Sequence, residues 1–289
     1  AAVGRHNLRI YGNPGTGKSM MATRLPTILP NLSLDKALEC SGIHALKDLR
    51  RSKSGLNATP PFRAPHHSVS AVGLLGGGSP VKPGEISLAH NGVLFLDELL
   101  EFERHKLEAL RTPLEDGFIR IARGGAAPTL PARFMLIAAH NPCPCGYLGH
   151  LTMSCTCSVN EIRRYKRRLS GPMKDRFQLH LPLTQSKPSI RSTFGPSSAE
   201  LRQIVVDAQT FGNGVAEKNT RRLSPCAVRL LEKLSDTPGS SFRRRRALMD
   251  VAYSIANLAA SAMVTSEHLE EALQYGPTQS STQKPMDAL

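Results

Sequence analysis

The chain has 289 residues, 40% apolar and 21% charged, and its 37 Lys and Arg outnumber 23 Asp and Glu for a net charge of +14. Those proportions exclude a disordered chain, six cysteines are too few for a disulfide scaffold, and no apolar run reaches the ~18 residues of a membrane span. What remains is the expectation of a soluble cytoplasmic protein with two unequal domains, whose basic excess suits nucleic acid, nucleotide or acidic lipid.

In chain order, Ala1 to Gly4 leads straight into Leu8-Arg9-Ile10-Tyr11, a buried strand, so the sequence reads as a piece whose N-terminal partner is missing. Gly12-Asn13-Pro14-Gly15-Thr16-Gly17-Lys18-Ser19 then fits G-x-x-x-x-G-K-[ST], a glycine turn into a helix. Glycines let the backbone N–H groups wrap phosphates, Lys18 reaches the β- and γ-phosphates, and the Ser19 hydroxyl ligates Mg²⁺. Asn31 to Arg51 reads as a helix with apolar Leu34, Leu38, Leu46 and Leu49, and no second sheet strand can be placed near it. Residues 55–92, rich in Gly, Pro, Ser and His around Gly76-Gly77-Gly78, form a long insertion.

Val93-Leu94-Phe95-Leu96 reads as a covered parallel strand that delivers Asp97 and Glu98 to its C-terminal end. Asp97 there holds Mg²⁺ through its water shell, and Glu98 polarises the attacking water. The phosphate loop and this acidic pair together imply a P-loop protein that hydrolyses ATP or GTP. Leu107, Leu110 and Leu114 recur at helical spacing up to Asp116-Gly117; Phe118–Arg123 and Ala132–Ala139 read as strands around a Gly/Pro turn. The second of these ends at His140-Asn141, where Asn141 can orient the lytic water between Glu98 and the γ-phosphate, or serve simply as a turn residue before Pro142. Residues 184–198 are a linker, 199–276 read as helical throughout with one long helix from Arg243 to Met263, and the end is polar.

These elements in this order, followed by Leu169-Ser170-Gly171-Pro172-Met173-Lys174-Asp175-Arg176, resemble AAA+ ATPases of the magnesium-chelatase-like branch. Within that branch they are most similar to the ComM (YifB) family of bacterial proteins. The resemblance rests on Pro61-Phe62-Arg63-Ala64-Pro65-His66-His67, on Pro83 to Gly92 (PGEISLAHNG), and on Asn141-Pro142-Cys143-Pro144-Cys145-Gly146. It implies a three-layer α/β/α domain with a parallel sheet over 1–183, carrying the insert 55–92 and a presensor hairpin at 118–137. After the 184–198 linker it implies a small all-α lid over 199–277 and a polar tail, 278–289. Family members assemble as hexameric rings with ATP between subunits. Arg176 matches the arginine finger that enters the neighbour's site, and Arg243 matches the lid's sensor arginine.

ComM-like proteins act as DNA helicases that drive branch migration in homologous recombination and natural transformation, so the resemblance implies DNA as a partner. The hairpin around Gly124-Gly125 would then point Arg120 or Arg123 into the ring pore, against the alternative of an ordinary solvated hairpin. The 62–90 segment resembles the branch's helix-2 insert, with His66 and His67 in turn or packing roles in preference to metal ligation. Three departures stand out. The N-terminal Lon-protease-like domain that the resemblance leads one to expect is not among these 289 residues, Met173-Lys174 replaces an apolar pair, and Arg243 to Arg246 form a basic run that leaves the choice of sensor open.

Cys143, Cys145, Cys155 and Cys157 form C-x-C-x9-C-x-C, which reads either as a structural Zn²⁺ site or as four free thiols. Cys40 and Cys226 read as small core residues. Residues 158–176 hold seven Lys or Arg against Glu161 and Asp175, a stretch that faces DNA, the neighbour's ATP, or solvent. Three functions are therefore in contention: a DNA motor, a magnesium-chelatase motor subunit, and a protein-remodelling or protease-associated ATPase. The basic charge and the cysteine loop favour the first.

Overall fold

The computed structural model describes residues 1–47, 56–121, 128–184, 195–218, 221–235 and 241–277. Strand β1 (Leu8–Gly12) runs through the glycine turn into helix α1 (Lys18–Arg24), and a 3-10 turn at Leu25–Ile28 leads to α2 (Leu34–Lys47). The helix expected over 31–51 is thus described as 34–47, and Leu49 lies outside the described residues. Its buried face is Ala37, Cys40 and Ile43, whereas Leu34, Leu38 and Leu46 are more than half exposed.

The insertion is folded. It comprises β2 (Phe62–Arg63), α3 (Ala71–Leu75), an antiparallel pair β3 (Gly76–Gly77) and β4 (Lys82–Pro83), and α4 (Glu85–Leu88). β2 is the missing sheet strand, and its two residues are too few to show any periodicity. β5 (Val93–Leu96) is buried throughout, as a strand covered on both faces must be. A 3-10 turn at Leu99–Glu101 precedes α5 (Arg104–Ala109) and α6 (Arg111–Asp116). The leucine spacing predicts one helix here. The break falls where Pro113 offers no N–H to the carbonyl of Ala109, and Gly117, in the left-handed region at φ 74°, ends the second piece.

β6 (Phe118–Arg120) and β7 (Thr129–Pro131) pair antiparallel, with Ile119 opposite Leu130, in a hairpin shorter than the expected 118–137: the strand read over 132–139 is not its second arm but lies in the main sheet, and the tip at 122–127, including Arg123, lies outside the described residues. β8 (Met135–His140) is wholly buried. α7 (Val159–Lys166) starts at a reciprocal Ser158–Glu161 cap, α8 (Gly171–Lys174) at Ser170, and β9 (Leu179–Leu183) completes the domain. The sheet has five parallel strands in the order β2-β5-β8-β1-β9. Side chains alternate across it. Val93, Phe95, Met135 and Ile137 join Leu8 and Ile10 on one face, and Leu94, Leu96, Leu136 and Ala138 pack against Tyr165, Leu169 and Met173 on the other.

The C-terminal part is α9 (Ser198–Glu217), β10 (Arg222–Leu223), α10 (Pro225–Ser235), α11 (Phe242–Leu258), β11 (Met263–Val264) and α12 (Ser266–Gln274). It is not helical throughout, because β10 and β11 form a short parallel pair. The long helix expected to reach Met263 stops at Leu258, where Ala260 turns left-handed at φ 48° and the Ser261 N–H reaches back to the Ala256 carbonyl at 2.9 Å. Ala2, Leu8 and Ile10 share one apolar cluster with Val205, Ala227, Leu231, Val251 and Leu269, so this part packs directly on the first face of the sheet. Cys40 is buried as expected, but Cys226, in the first turn of α10, is exposed. Among the described residues no helix is long and apolar enough to cross a membrane.

Candidate functional site: a phosphate loop, an acidic strand end and a cysteine knuckle

The register brings the candidate site together. β8 lies between β5 and β1, pairing Leu96 with Ala138 and Tyr11 with His140. The chain leaves these three neighbouring strands at Asp97-Glu98, Asn141 and the phosphate loop, all at one sheet edge. Gly15 and Gly17 adopt φ of 77° and 82°, a region that L side chains rarely enter, which lets the loop fold back on itself. α1 opens without a side-chain cap, so the N–H groups of its first turn are left for another acceptor.

Lys18 folds across the loop, its Nζ donating to the carbonyls of Gly12 at 2.7 Å and Asn13 at 2.8 Å. Burial lowers its affinity for the proton, and the Asp97 carboxylate opposes that. The Ser19 hydroxyl donates to Asp97 Oδ2 at 2.7 Å. An alcohol and a carboxylate oxygen in contact beside a lysine fit a Mg²⁺–nucleotide: both are hard oxygen donors, and the lysine matches phosphate charge. Glu98 sits in the left-handed region at φ 51°, with its N–H donating to Asp97 Oδ1 at 2.9 Å. Its exposed carboxylate lies 3.7 Å from His67 Nε2. His67, which reads from the sequence as a turn or packing residue, edges onto the Phe102 ring, and only the fold places it against Glu98. His66 does bond within its turn, to Ser68.

Asn141 is held from behind by a buried polar relay. Arg9 Nε donates to His140 Nε2 at 2.9 Å, so His140 carries its proton on Nδ1 and donates it to the Asn141 carbonyl at 2.7 Å. Burial, and then the Arg9 charge, push His140 down to about 3, so the ring is neutral. Arg9, Tyr11, His140, Lys166, Lys174 and His180 line a basic cleft of about 200 Å³, closed on one side by Pro277 just after α12. Along α7, Ile162 and Tyr165 are buried and Arg163, Arg164 and Arg167 are exposed, while Arg168 bonds to the Leu100 carbonyl and to Glu101.

Arg176 and Arg243 converge on one carboxylate away from the phosphate loop. Arg176 Nη2 lies 2.6 Å from Glu115 Oε1, Arg243 pairs with the same oxygen, and Arg244 approaches Asp175 at 3.4 Å. Arg176 is buried, and its Nε and Nη1 have no hydrogen-bond partner among the described residues. Arg120 is exposed on β6, beside the Phe118 ring.

The four cysteines meet. Sγ of Cys143, Cys145, Cys155 and Cys157 all lie within 4.8 Å of one another. The three pairs among Cys143, Cys145 and Cys155 are 3.4, 3.7 and 3.6 Å apart, too far for disulfides and close to the ~3.8 Å edge of a tetrahedron with Zn–S bonds of ~2.3 Å. Backbone N–H groups point at two sulfurs, Leu148 to Cys143 at 3.3 Å and Cys145 to Cys157 at 3.4 Å. Burial pushes Cys143 up to about 12. Burial also opposes ionisation of Cys145, but the N–H groups of Tyr147 and Thr156 and the neighbouring thiols outweigh it and bring that thiol down to about 6.

Residues 1–190 match the family described as magnesium chelatase, subunit ChlI. The chain is 42% identical to the uncharacterized protein YifB of Escherichia coli (strain K12) and 42% identical to the competence protein ComM of Haemophilus influenzae. Each of these two alignments covers 95% of this chain and 56% of the relative, so the chain spans a little over half their length. It is 24% identical to the magnesium-chelatase subunit ChlI of Chlorella vulgaris, over 75% of this chain and 63% of that protein. With its parallel sheet, phosphate loop and acidic strand end in the expected order, the chain belongs to the magnesium-chelatase family of AAA+ proteins.

Proposed function

We propose that the protein is a cytoplasmic ATP-hydrolysing ring motor that moves along DNA, as a helicase or branch-migration translocase in homologous recombination and natural transformation. The observation that carries the ATPase reading is the 2.7 Å contact of Ser19 with Asp97, with Lys18 and Glu98 beside it. Bound Mg²⁺–ATP supplies the phosphoanhydride bond to be cleaved. Ser19 and Asp97 are the residues that hold the ion, Lys18 neutralises the β- and γ-phosphates, Glu98 accepts a proton from water, and Asn141 orients that water. In a hexamer Arg176, which rests here against Glu115, is the residue for the neighbouring subunit's nucleotide, and Arg243 beside it is the lid's sensor of the γ-phosphate. The net charge of +14 and the exposed Arg120 support DNA as the track, as does similarity to a protein named for competence. The four-cysteine knuckle holds a structural Zn²⁺, for which its sulfur spacing is suited.

A magnesium-chelatase motor, favoured by the family match and the Chlorella vulgaris relative, is the second reading. The test is ATP turnover with and without single-stranded and forked DNA, with particle mass measured on the same samples and Lys18→Ala and Glu98→Gln as controls. DNA stimulation that both substitutions abolish is the expected result. Turnover indifferent to DNA in hexameric samples overturns the DNA reading and leaves the chelatase one.

A further inference from the structure

Asn13 occupies an unusual place. It is buried within the phosphate loop, and its side-chain amide leaves that loop to donate to the carbonyls of Gly146 at 2.7 Å and Leu148 at 3.1 Å. Both acceptors lie in the arm that the first two cysteines close. The Gly146 N–H donates to the Cys143 carbonyl at 3.0 Å and the Leu148 N–H to Cys143 Sγ at 3.3 Å. The main-chain carbonyl of Asn13 meanwhile accepts from Lys18 Nζ at 2.8 Å and from the Thr16 hydroxyl at 2.9 Å. One residue therefore joins the cysteine arm, through its side chain, to the lysine of the phosphate loop, through its backbone.

Packing reinforces the joint. Gly146 sits at φ 85°, and a Cβ there would lie 2.7 Å from Pro14 Cγ and 3.9 Å from Asn141 Cγ. The arm is thus in close contact with the phosphate loop on one side and the water-orienting asparagine on the other. A common ion that holds the four sulfurs of the two short arms would tie down the Cys143 end of the contacts that set Gly146 and Leu148. Two carbonyls held in place keep Asn13, and with it Lys18, in the geometry that receives phosphate.

We propose that Asn13 is a positioning residue that couples metal in the cysteine knuckle to the phosphate loop, so that metal occupancy raises nucleotide affinity. The proposal rests on the reading of the knuckle as a Zn²⁺ site. Coupling of this kind is reciprocal: if Zn²⁺ tightens nucleotide binding, nucleotide must tighten Zn²⁺ by the same factor. A joint of two hydrogen bonds, one buried and one partly buried, is worth about tenfold.

The experiment measures Zn²⁺ content of the full chain as purified, then Zn²⁺ affinity by chelator competition with and without Mg²⁺–ADP. It is run on the native protein and on Asn13→Ala. In parallel, Co²⁺ replaces Zn²⁺ and its visible d–d bands are followed as Mg²⁺–ADP is added. The expected result is one equivalent of Zn²⁺ in both proteins. In the native protein Mg²⁺–ADP tightens Zn²⁺ about tenfold and shifts the Co²⁺ bands; in Asn13→Ala both responses vanish while nucleotide still binds, about tenfold more weakly. A protein without zinc refutes the metal reading itself. Zinc present, but with affinity and Co²⁺ spectrum blind to nucleotide in the native protein, leaves that reading intact and overturns the coupling. A response that persists undiminished in Asn13→Ala overturns the role of Asn13.

Discussion

Glu115 is the carboxylate on which Arg176 and Arg243 meet, and replacing it with alanine asks what a buried guanidinium costs without its partner. Arg176's side chain is 6% exposed and 2.6 Å from Glu115, while those of Glu115 and Arg243 are 44% and 51% exposed. Removing one partner of a fully buried pair costs about 3–5 kcal/mol, because the other charge stays behind. Solvent at Glu115 reduces that, and the exposed Arg243 contact adds at most about 1 kcal/mol, so the expected loss is roughly 2–3 kcal/mol. Burial, and then the charge of Arg243, already hold Arg176 below its ordinary affinity for the proton, with Glu115 opposing them. Without Glu115 the two guanidiniums face each other unscreened. At roughly 2–4 °C per kcal/mol, Glu115→Ala lowers Tm by about 5–10 °C, as read by calorimetry or circular dichroism. The second half of the cycle is Glu115→Ala with Arg176→Met. Methionine fills a similar volume and needs no counter-ion, so most of the lost stability returns. ATP turnover does not return with it if Arg176 acts at a neighbour's nucleotide. A Glu115→Ala melting point within about 1 °C of the native protein's, or a double substitution no more stable than the single one, refutes this account of Arg176.

Two further predictions concern protons. Glu85, at the start of α4, bonds Arg63 at 2.6 Å and Lys47 at 2.9 Å; burial alone would raise its pKa, but the two cations win and hold it below 4.5. Its folded pKa is therefore depressed, and the stability it contributes is present above pH 4.5 and is lost as pH falls through the folded value. Glu85→Gln should be less stable than the native protein at pH 7, with the gap closing below pH 4.5 in a urea titration series; a gap that stays constant with pH contradicts this. His140, held down to about 3, binds no proton in the folded state as pH falls below 6.5, whereas the unfolded chain does, so its contribution to stability declines from pH 6.5 downwards. Its imidazole resonances, identified by their loss in His140→Gln, should stay fixed between about pH 8 and 5; a midpoint near 6.5 would show that the ring is not buried beside Arg9 as described.

The sheet and its acidic edge were legible because long apolar runs carry the signal. Val93–Leu96 and Met135–Ala139 are uninterrupted, and G-x-x-x-x-G-K-S leaves few alternatives. β2 was not legible, since two residues of strand take their conformation from the neighbour they pair with, Val93-Leu94, and not from their own pattern. α2 misled in its facing: the leucines at 34, 38 and 46 fall on one side, but the smaller Ala37, Cys40 and Ile43 are the ones buried, and leucine content says nothing about which side has a partner. The α5–α6 break was visible in Pro113 and outweighed by leucine spacing. Motif and strand end single out Glu98 and Asn141 as candidates, whereas nothing in the sequence singles out the groups that contact them. His67 sits 31 residues before Glu98 in a phrase whose histidines suit turn and packing roles equally well, and Arg9 is one residue inside a strand expected to be buried.

Those unread contacts explain how an asparagine on a connecting loop keeps a fixed position. Asn141 leaves β8 into a segment without regular structure until α7 begins at Val159, and a loop of that length is ordinarily the mobile part of a fold. Here it is fastened at both ends. Behind Asn141, Arg9 on the adjacent strand fixes the tautomer of His140, whose Nδ1 proton goes to the Asn141 carbonyl. Ahead of it, Cys143 and Cys145 bend the chain back so that Gly146 and Leu148 present their carbonyls to Asn13. Neither fastening alone would place the asparagine amide: the relay fixes only the Asn141 carbonyl, and the knuckle fixes only the chain from Cys143 onward. Together they confine the residue between the phosphate loop and the strand end carrying Asp97 and Glu98. The proposed role of Asn141 in orienting water at a γ-phosphate needs this confinement, and Asn141→Ala is expected to lower ATP turnover more than nucleotide affinity.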